Sequence, residues 1–380
     1  MSAAQWRKAM NSGAGRRNWH VGGVVTSTGQ EDAATGAKLR FDGLEITWQD
    51  KLWQMIGWRH VLMLLACLLY PIVATPFFTF QICAQTLALG IIALSLTFLG
   101  GYGGMVTLSQ MTIAGIAGYV LAIFGNSGVA LSLGWPWWLA VLMALTIATL
   151  IATGIGWMSV RTEGIYTIMI TLAIGVAFFY LAQQNYTVFN GFQGFSKITP
   201  PDVFGVDWRS PTAYYYLVLF WALAAYFFIK YLIRAPFGIA LQGVRDNPRR
   251  MNALGFSVNA HRVAAHAVAG LIAALGGILM VWYSSLITPG SIGTGALINV
   301  LIVVVLGGMK HPIGAFIGAL VFVLLQNFAV DIVGRERFNL LIGGVFLVVV
   351  LFSPDGLVGL WMRLKNRFTM NAQEKLQSFK

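Results

Sequence analysis

The chain has 380 residues, of which 57% are hydrophobic and 10% are charged, and its mean hydropathy is +0.73. Soluble domains carry about 25% charged residues, so this composition excludes a soluble globular protein. The net charge of +12 raises the question of nucleic acid, but no charged residue or histidine occurs between His60 and Arg161. Only a hydrocarbon environment explains so long an uncharged run. We therefore expect one polytopic domain that contacts the lipid bilayer and binds no nucleic acid.

Two segments precede the apolar part of the chain. Residues 1–43 are rich in Gly, Ser, Ala and Thr, and we expect a flexible cytoplasmic extension there rather than a folded domain. Residues 44–60 contain a capping box that begins at Thr47, followed by apolar residues on one helical face. This pattern predicts an amphipathic helix at the membrane interface that leads into the first span.

Ten windows of the chain resemble a membrane-spanning helix, which needs about 20 mostly apolar residues. We therefore predict an all-α membrane domain over residues 61–353 with about ten transmembrane helices. Three windows are short or flanked by glycine, and each could be broken or re-entrant: 82–99, 105–125 and 296–309. The other seven are 61–80, 135–158, 164–183, 212–233, 263–283, 313–333 and 338–353.

Lysine and arginine are distributed unequally between the predicted loops. With the amino terminus inside, 21 of the 25 lie on the cytoplasmic side, where membrane proteins concentrate these residues. Both termini, including the basic tail 354–380, are then cytoplasmic. A tryptophan cluster at Trp135–Trp138 indicates an aromatic belt at the opposite face. That opposite face holds Lys197, Arg209, Arg335 and Arg337.

The predicted spans contain few groups that could drive transport or catalysis. His266 is the one titratable residue well inside a span, and a hydrogen bond to a neighbouring helix is the more common role for such a histidine than a proton relay. The spans offer no paired acids, activated nucleophile or metal cluster, so we expect no enzyme, and the chain has no phosphate-binding loop for ATP. Uphill transport would require energy from another protein.

Glycine is abundant, with 43 residues, and many lie in the spans. The pairs Gly100/Gly104 and Gly314/Gly318 have the spacing that lets helices pack closely. A second interpretation is that glycines break a helix and expose backbone to a solute path, as in many transporters. We place such a path at the first pair, although polar residues in spans also bond neighbouring helices. The candidate residues are Gly101, Gly103, Gly104, Thr107, Ser109 and Gln110.

The loop 234–262 is the longest basic loop apart from the termini. Pro236 ends the preceding helix, because a proline disfavours helical geometry in the residue before it. Residues 239–254 have helical spacing, which Pro248 divides into two short helices. Such helices could lie on anionic lipid or dock a partner protein, and the second interpretation is favoured.

Motifs in this loop resemble the ATPase-contacting loop of the branched-chain amino acid ABC transporter permeases of the LivM type. The similarity covers residues 60–362 and rests on the order and spacing of many short blocks. In the loop they are Ala235–Gly238, Ala240–Leu241, Val244–Asn247 and Ala253–Gly255; elsewhere they are Gly101–Gly104, Leu108–Gln110, Gly115–Tyr119, Arg161, Gly164–Tyr166, Thr171–Ala173, Asn190–Gly191, Gly194, Val305–Gly308, Pro312, Gly314, Gly318, Phe352–Pro354 and Gly356–Leu357.

The resemblance implies an inner-membrane subunit with the ABC importer permease fold. It implies a second permease subunit, two cytoplasmic ATPases that bind ATP and Mg, and an external solute-binding protein, with no cofactor on this chain. It also implies that the loop couples ATP-driven closure to the spans. The coupling residues would be Pro236, Phe237, Gly238, Leu241, Val244, Arg245, Asp246, Asn247, Ala253, Leu254 and Gly255.

Two other functions stay open from the residues alone. A secondary carrier or facilitator would work without a partner; the uncharged spans argue against proton coupling but allow facilitated diffusion. A membrane scaffold would use the basic loop only to bind lipid. Within the resembling family the solutes include branched-chain amino acids, urea and small amides, and the sequence does not choose among them.

Overall fold

The computed structural model describes residues 70–362, except 72–73, 130–131, 163, 202–204, 206, 330–333, 335–337 and 354. The predicted extension 1–43, the interfacial helix 44–60, most of the first span and most of the tail 354–380 lie outside the described residues. The described residues belong to the unit His60–Lys380.

The described chain is almost entirely helical. The first long helix, α1, is Phe78–Tyr102, with π-helical turns at Phe78–Ala84 and Phe98–Tyr102. The later helices are α2 (Gln110–Phe124), α3 (Trp137–Ser159), α4 (Ile165–Gln184), α5 (Pro211–Arg234), α6 (Pro236–Asp246), α7 (Pro248–Ala253), α8 (Val258–Ser284), α9 (Thr294–Gly307), α10 (Pro312–Leu324) and α11 (Phe338–Phe352). Two short strands, β1 (Phe195–Ser196) and β2 (Leu286–Ile287), pair antiparallel.

Nine of the predicted windows correspond to helices, with shifted ends. Among the described residues, five helices are long and apolar enough to cross a membrane: α1, α3, α4, α5 and α8; a bent pair, α9 with α10, raises the number to six. The protein is therefore a polytopic helical membrane protein, and the total of ten spans stays a prediction. Helix α2 and the apolar part of α11 are shorter.

Helix α8 lies at the centre and packs against α1, α2 and α3. Its contact positions are small: a Cβ on Gly277 would overlap the backbone of Ala114, and Gly270 packs against Ala152. Small residues allow close approach of helix backbones, which maximises van der Waals contact where lipid supplies no hydrophobic driving force.

The predicted irregularity at 296–309 is confirmed as a sharp bend. Helices α9 and α10 meet at an angle of 117°, and Pro312 begins α10 because its missing N–H is not needed in the first turn. Gly307 of α9 packs directly on the backbone of Gly314 and Gly318 of α10. The second glycine pair therefore serves close packing.

The bundle has two chemically different ends. The basic end holds Arg161, Arg234 and Lys310, each at or just beyond a helix terminus. The tryptophan end holds the exposed Trp137 and Trp138 and the β1–β2 pair, in which Phe195 lies opposite Ile287.

Candidate functional site

At the basic end, three interruptions of the helical bundle meet. Helix α1 stops at Tyr102, and residues 103–109 are not helical before α2 begins at Gln110. This segment contacts α6 and the α9–α10 bend, and we call the meeting place the basic-end junction, defined by Gly101, Tyr102, Arg245 and Lys310. The predicted break after the first glycine pair is thus present, and π-helical turns such as the one ending α1 often occur at functional sites.

Arg245 joins α6 to the end of α1. Its Nη1 donates a hydrogen bond to the carbonyl oxygen of Gly101, and its side-chain stem lies where Gly104 would carry a Cβ. Gly104 has φ of +69°, a conformation that favours glycine. Arg245 also forms an ion pair of 2.8 Å with Asp246, whose side chain is 66% exposed. The predicted coupling residue therefore directly contacts the predicted helix break.

The α9–α10 bend completes the junction. The hydroxyl of Tyr102 donates to the carbonyl oxygen of Lys310 at 3.1 Å, and the Nζ of Lys310 lies 2.6 Å from a carboxylate oxygen of Asp355. Gly101 abuts the backbone of Met309. A displacement of α6 would therefore be transmitted through Arg245 to the helix break after α1, and through Tyr102 to the α9–α10 bend.

Helix α6 is fixed to the permease along one face. Leu241 and Val244 are fully buried, and Gly238 lies against the backbone of Leu232 and Ile233 with no room for a Cβ. The side-chain amide of Gln242 donates to the carbonyl oxygens of Ile233 and Gly238. Pro236 occupies the first turn, as its fixed φ allows.

The second short helix has clear end signals. The Asn247 side chain accepts a hydrogen bond from the amide of Arg250 at 3.0 Å and caps α7. After Ala253, the amide of Gly255 donates to Asn252 and that of Phe256 donates to Met251, which is a Schellman motif. The division of the loop at Pro248 is confirmed.

Apolar side chains of this loop also face solvent. Ile239 is 61% exposed, Leu254 is 64% exposed and Phe256 is 40% exposed. Leu254 was predicted as a coupling residue together with Leu241 and Val244, which are buried, whereas Ile239 and Phe256 were not predicted. The helical spacing could have separated Ile239 from Leu241, because residues two apart do not share a helix face.

The predicted solute-path side chains are buried; Thr107 and Gln110 are hydrogen-bonded to each other, and the hydroxyl of Ser109 has no hydrogen-bond partner among the described residues. Thr107, Ser109 and Gln110 are at most 1% exposed. Gln110 accepts from the Ser95 hydroxyl at 3.0 Å and donates to Thr107 at 3.4 Å. The amide of Leu108 donates to the Thr171 hydroxyl of α4 at 3.1 Å. Their role in a solute path stays a prediction, since these bonds also join α1, α2 and α4.

A cavity of about 280 Å³ lies between α1, α2, α8, α9 and α10. Most of its wall is apolar, and side-chain amides from three separate segments of the chain also line it. The Oε1 of Gln85 is buried and has no hydrogen-bond partner among the described residues. Gln85, Asn299 and Gln326 line the cavity and were not predicted from the sequence, whereas the predicted Thr107, Ser109 and Gln110 do not line it. Their common position follows from packing of three distant segments, so no local pattern could have revealed it.

His266 is buried between α8 and α3. Its Nδ1 lies 2.9 Å from the carbonyl oxygen of Arg262, and its Nε2 lies 3.5 Å from the hydroxyl of Ser159. Gly156 leaves the space for its side chain. Both ring nitrogens therefore have partners, and the contact to Ser159 favours the interhelical role over a proton relay.

A polytopic bundle with broken helices around a small, mostly apolar cavity that three side-chain amides line is typical of membrane transport proteins, in the class of permeases. Residues 78–351 match the family described as "Branched-chain amino acid transport system / permease component", and the chain belongs to that family. It is a permease subunit of an ABC importer, not an enzyme, and it works in a transporter with other subunits.

Named relatives agree with this membership. The chain is 25% identical over 334 residues to the high-affinity branched-chain amino acid transport system permease protein LivM of Escherichia coli strain K12, covering 80% of this chain and 77% of the relative. It is 23% identical to the probable permease LivM of Methanocaldococcus jannaschii, covering 57% and 68%, and 25% identical to LivH of Salmonella typhimurium, covering 71% and 90%. No solved structure matches the chain.

Proposed function

We propose that the chain moves a small amino acid, of the branched-chain type or a close relative, by alternating access that partner ATPases drive through α6. The observation that carries the coupling is the contact of Arg245 with the break at Gly101 and Gly104. A helix that is fixed to the bundle on one face and exposed on the other can transmit displacement from a docked protein to the helix break.

The exposed surface of α6, α7 and the residues directly after α7 is the proposed ATPase dock. It combines apolar side chains, Ile239, Leu254 and Phe256, with the exposed cations Arg249 and Arg250. Apolar anchors surrounded by charge are typical of protein interfaces. ATP and Mg would be held by two such ATPases, and this chain would bind no cofactor itself.

Helix α4 is the proposed contact for the second permease subunit. Only 22% of its most apolar stretch is buried, along one stripe that includes Thr167, Thr171 and Gly175. Both α4 and α11 pack on α9, whose residues Asn299 and Val300 line the cavity. A partner that covers α4 would therefore lie close to the solute.

The orientation follows from the two ends. We infer ten spans in the bacterial inner membrane with both termini in the cytoplasm, because the basic end carries the loop 234–262 and Lys310. The external solute-binding protein would dock at the tryptophan end.

The cavity supports the substrate class. Its volume of about 280 Å³ is near the lower limit of roughly 300–1,000 Å³ for ligand sites. Leu89, Ile92 and Met111 supply apolar wall, and Gln85 supplies an unpaired oxygen that can accept from an ammonium group. A small zwitterion with an aliphatic side chain fits both features.

The test replaces one exposed apolar residue of the dock. Ile239→Asp should leave membrane insertion intact, because the side chain is exposed, and should remove the ATPases from the complex isolated in mild detergent. Transport driven by ATP in liposomes should then be lost. Ile239→Leu is the matched control and should keep both.

A different outcome would exclude the proposal. If the isolated wild-type chain moved solute in liposomes without ATP and without partners, it would be a facilitator. If Ile239→Asp retained the ATPases at wild-type levels, the dock would lie elsewhere.

A further inference from the structure

An apolar groove opens on the side of the bundle formed by α3, α5 and α8. It has a volume of about 520 Å³. Its lining is almost wholly apolar, and α8 contributes a continuous stripe of one helical face. The stripe is Leu271, Leu275, Ile278 and Trp282.

The length of the groove matches one leaflet of a bilayer. Eleven residue steps separate Leu271 from Trp282, which is about 16 Å of helix at 1.5 Å per residue. Half of a hydrocarbon core of about 30 Å is about 15 Å. The groove therefore runs from the tryptophan end to about the middle of the membrane.

The width of the groove indicates which kind of molecule it can bind. A volume of about 520 Å³ over about 16 Å leaves a groove narrower than a helix with side chains, which is about 10–12 Å across. A transmembrane helix of a partner is too wide to enter it fully. An extended hydrocarbon chain can.

The mouth of the groove carries aromatic rings and positive charge. Trp137, Trp208 and Trp282 line it, and tryptophan prefers the level of lipid headgroups. Lys197 lines an adjoining pocket that shares Trp137 and Trp282 with the groove, and Arg209 lines another that shares Trp208 and Trp282.

The backbone is well defined at both cations. Lys197 has φ of +59°, a left-handed conformation that non-glycine residues adopt rarely, and it directly follows β1. The backbone amide of Arg209 donates a hydrogen bond to a carboxylate oxygen of Asp207 at 2.9 Å, so the Asp207 side chain is bound by the backbone of Arg209. Of the four cations that the sequence places on this face, these two lie in the described part of the chain.

We propose that this groove binds the acyl chain of one phospholipid of the leaflet at the tryptophan end, with its phosphate on Lys197 and Arg209. The anionic headgroup of phosphatidylglycerol suits two cations better than a zwitterionic headgroup does. The lipid would lie behind α8, on the opposite side from Gly277 and Met280, which line the solute cavity. The site depends only on the membrane location of the chain and not on the transported solute.

Native mass spectrometry of the complex in mild detergent tests the site, with phosphatidylglycerol or phosphatidylcholine added back. Leu271→Trp fills the groove and should weaken phosphatidylglycerol binding at least about tenfold, because several buried methylenes are lost. Leu150→Trp is the matched control: Leu150 is 70% exposed on α3 and lines no part of the groove. It should bind lipid like the wild type.

The headgroup is tested separately. Lys197→Gln and Arg209→Gln should each weaken phosphatidylglycerol binding about fivefold and phosphatidylcholine binding less, because choline offsets the charge of the phosphate that the two lipids share, while Arg161→Gln at the basic end should change neither. Equal lipid binding in Leu271→Trp and Leu150→Trp would overturn the proposal, as would a detergent adduct alone. A co-purifying membrane peptide that Leu271→Trp displaces would show that the groove serves a protein partner, and this also overturns it.

Discussion

The most apolar stretches of helices α4 and α8 have equal mean hydropathy, yet 22% of that stretch is buried in α4 against 61% in α8. The difference lies in the size of the residues. Helix α8 places Gly270, Gly276 and Gly277 at its contacts, whereas α4 exposes Met169 and Tyr180. Hydropathy therefore shows that a helix can enter the membrane, and the distribution of small residues shows whether other helices surround it.

The largest expected effect is a substitution that separates α8 from α2. In Gly277→Val, the new Cβ would lie 2.6 Å from the carbonyl carbon of Ala114, so the two backbones must move apart. We expect the free energy of unfolding to fall by about 3 kcal/mol, measured by denaturant unfolding in detergent. The control Gly154→Val faces open space on α3 and should change it by less than about 1 kcal/mol. Equal losses in the two variants would show that close packing does not distinguish α8.

An intermediate effect is expected at His266. His266→Ala leaves a cavity and removes the contact between α8 and the hydroxyl of Ser159, so the free energy of unfolding should fall by about 2 kcal/mol. The dependence of transport on pH, measured from about pH 5.5 to 8 across the usual titration range of histidine, should keep its shape. A changed pH profile with unchanged stability would instead identify a proton relay.

The smallest effect on unfolding is expected on α4. Met169→Ala, at a residue that is 60% exposed, should change the free energy of unfolding of the isolated chain by no more than about 0.5 kcal/mol. It should nevertheless weaken association with the second permease by roughly tenfold, measured by co-purification of the two subunits, if Met169 is an anchor of that interface. Leu150→Ala on α3 is the control. If both variants associate like the wild type, α4 faces lipid.

Local rules predicted much of the fold. Pro236 marked the end of α5, and Pro248 marked the division between α6 and α7, because proline acts on its immediate neighbours. Helix α6 begins at Pro236 itself, three residues before the predicted helical spacing. Helix ends outside the apolar windows were harder to predict: α8 begins at Val258, five residues before its window, because it continues through the polar segment that includes Arg262. Hydropathy cannot detect a helix that extends past the hydrocarbon.

The candidate site was predicted in part. The resemblance selected Arg245, and the glycine pattern selected the break at Gly101, but neither indicated that the two are bonded. The cavity was missed, since Gln85 and Asn299 are far apart in the sequence and become neighbours only through packing of α1 against α9. Polar residues close together in sequence, such as Thr107 and Gln110, were easier to notice than residues that converge in space.

The β1–β2 pair has a consequence for biogenesis. Phe195 and Ile287 meet at the tryptophan end, and helices α5 to α8 separate them in the chain. Because synthesis proceeds from the amino terminus, β1 stays unpaired until α5 and α8 have both been inserted into the membrane. An inverted α8 would leave Leu286 and Ile287 at the wrong face, where β1 cannot reach them. Formation of this two-residue ladder therefore indicates that the central helices have been inserted in the correct orientation. The backbone amide of Ile198 donates to the carbonyl oxygen of Ser285, so protection of this amide from hydrogen exchange would report that the pair has formed.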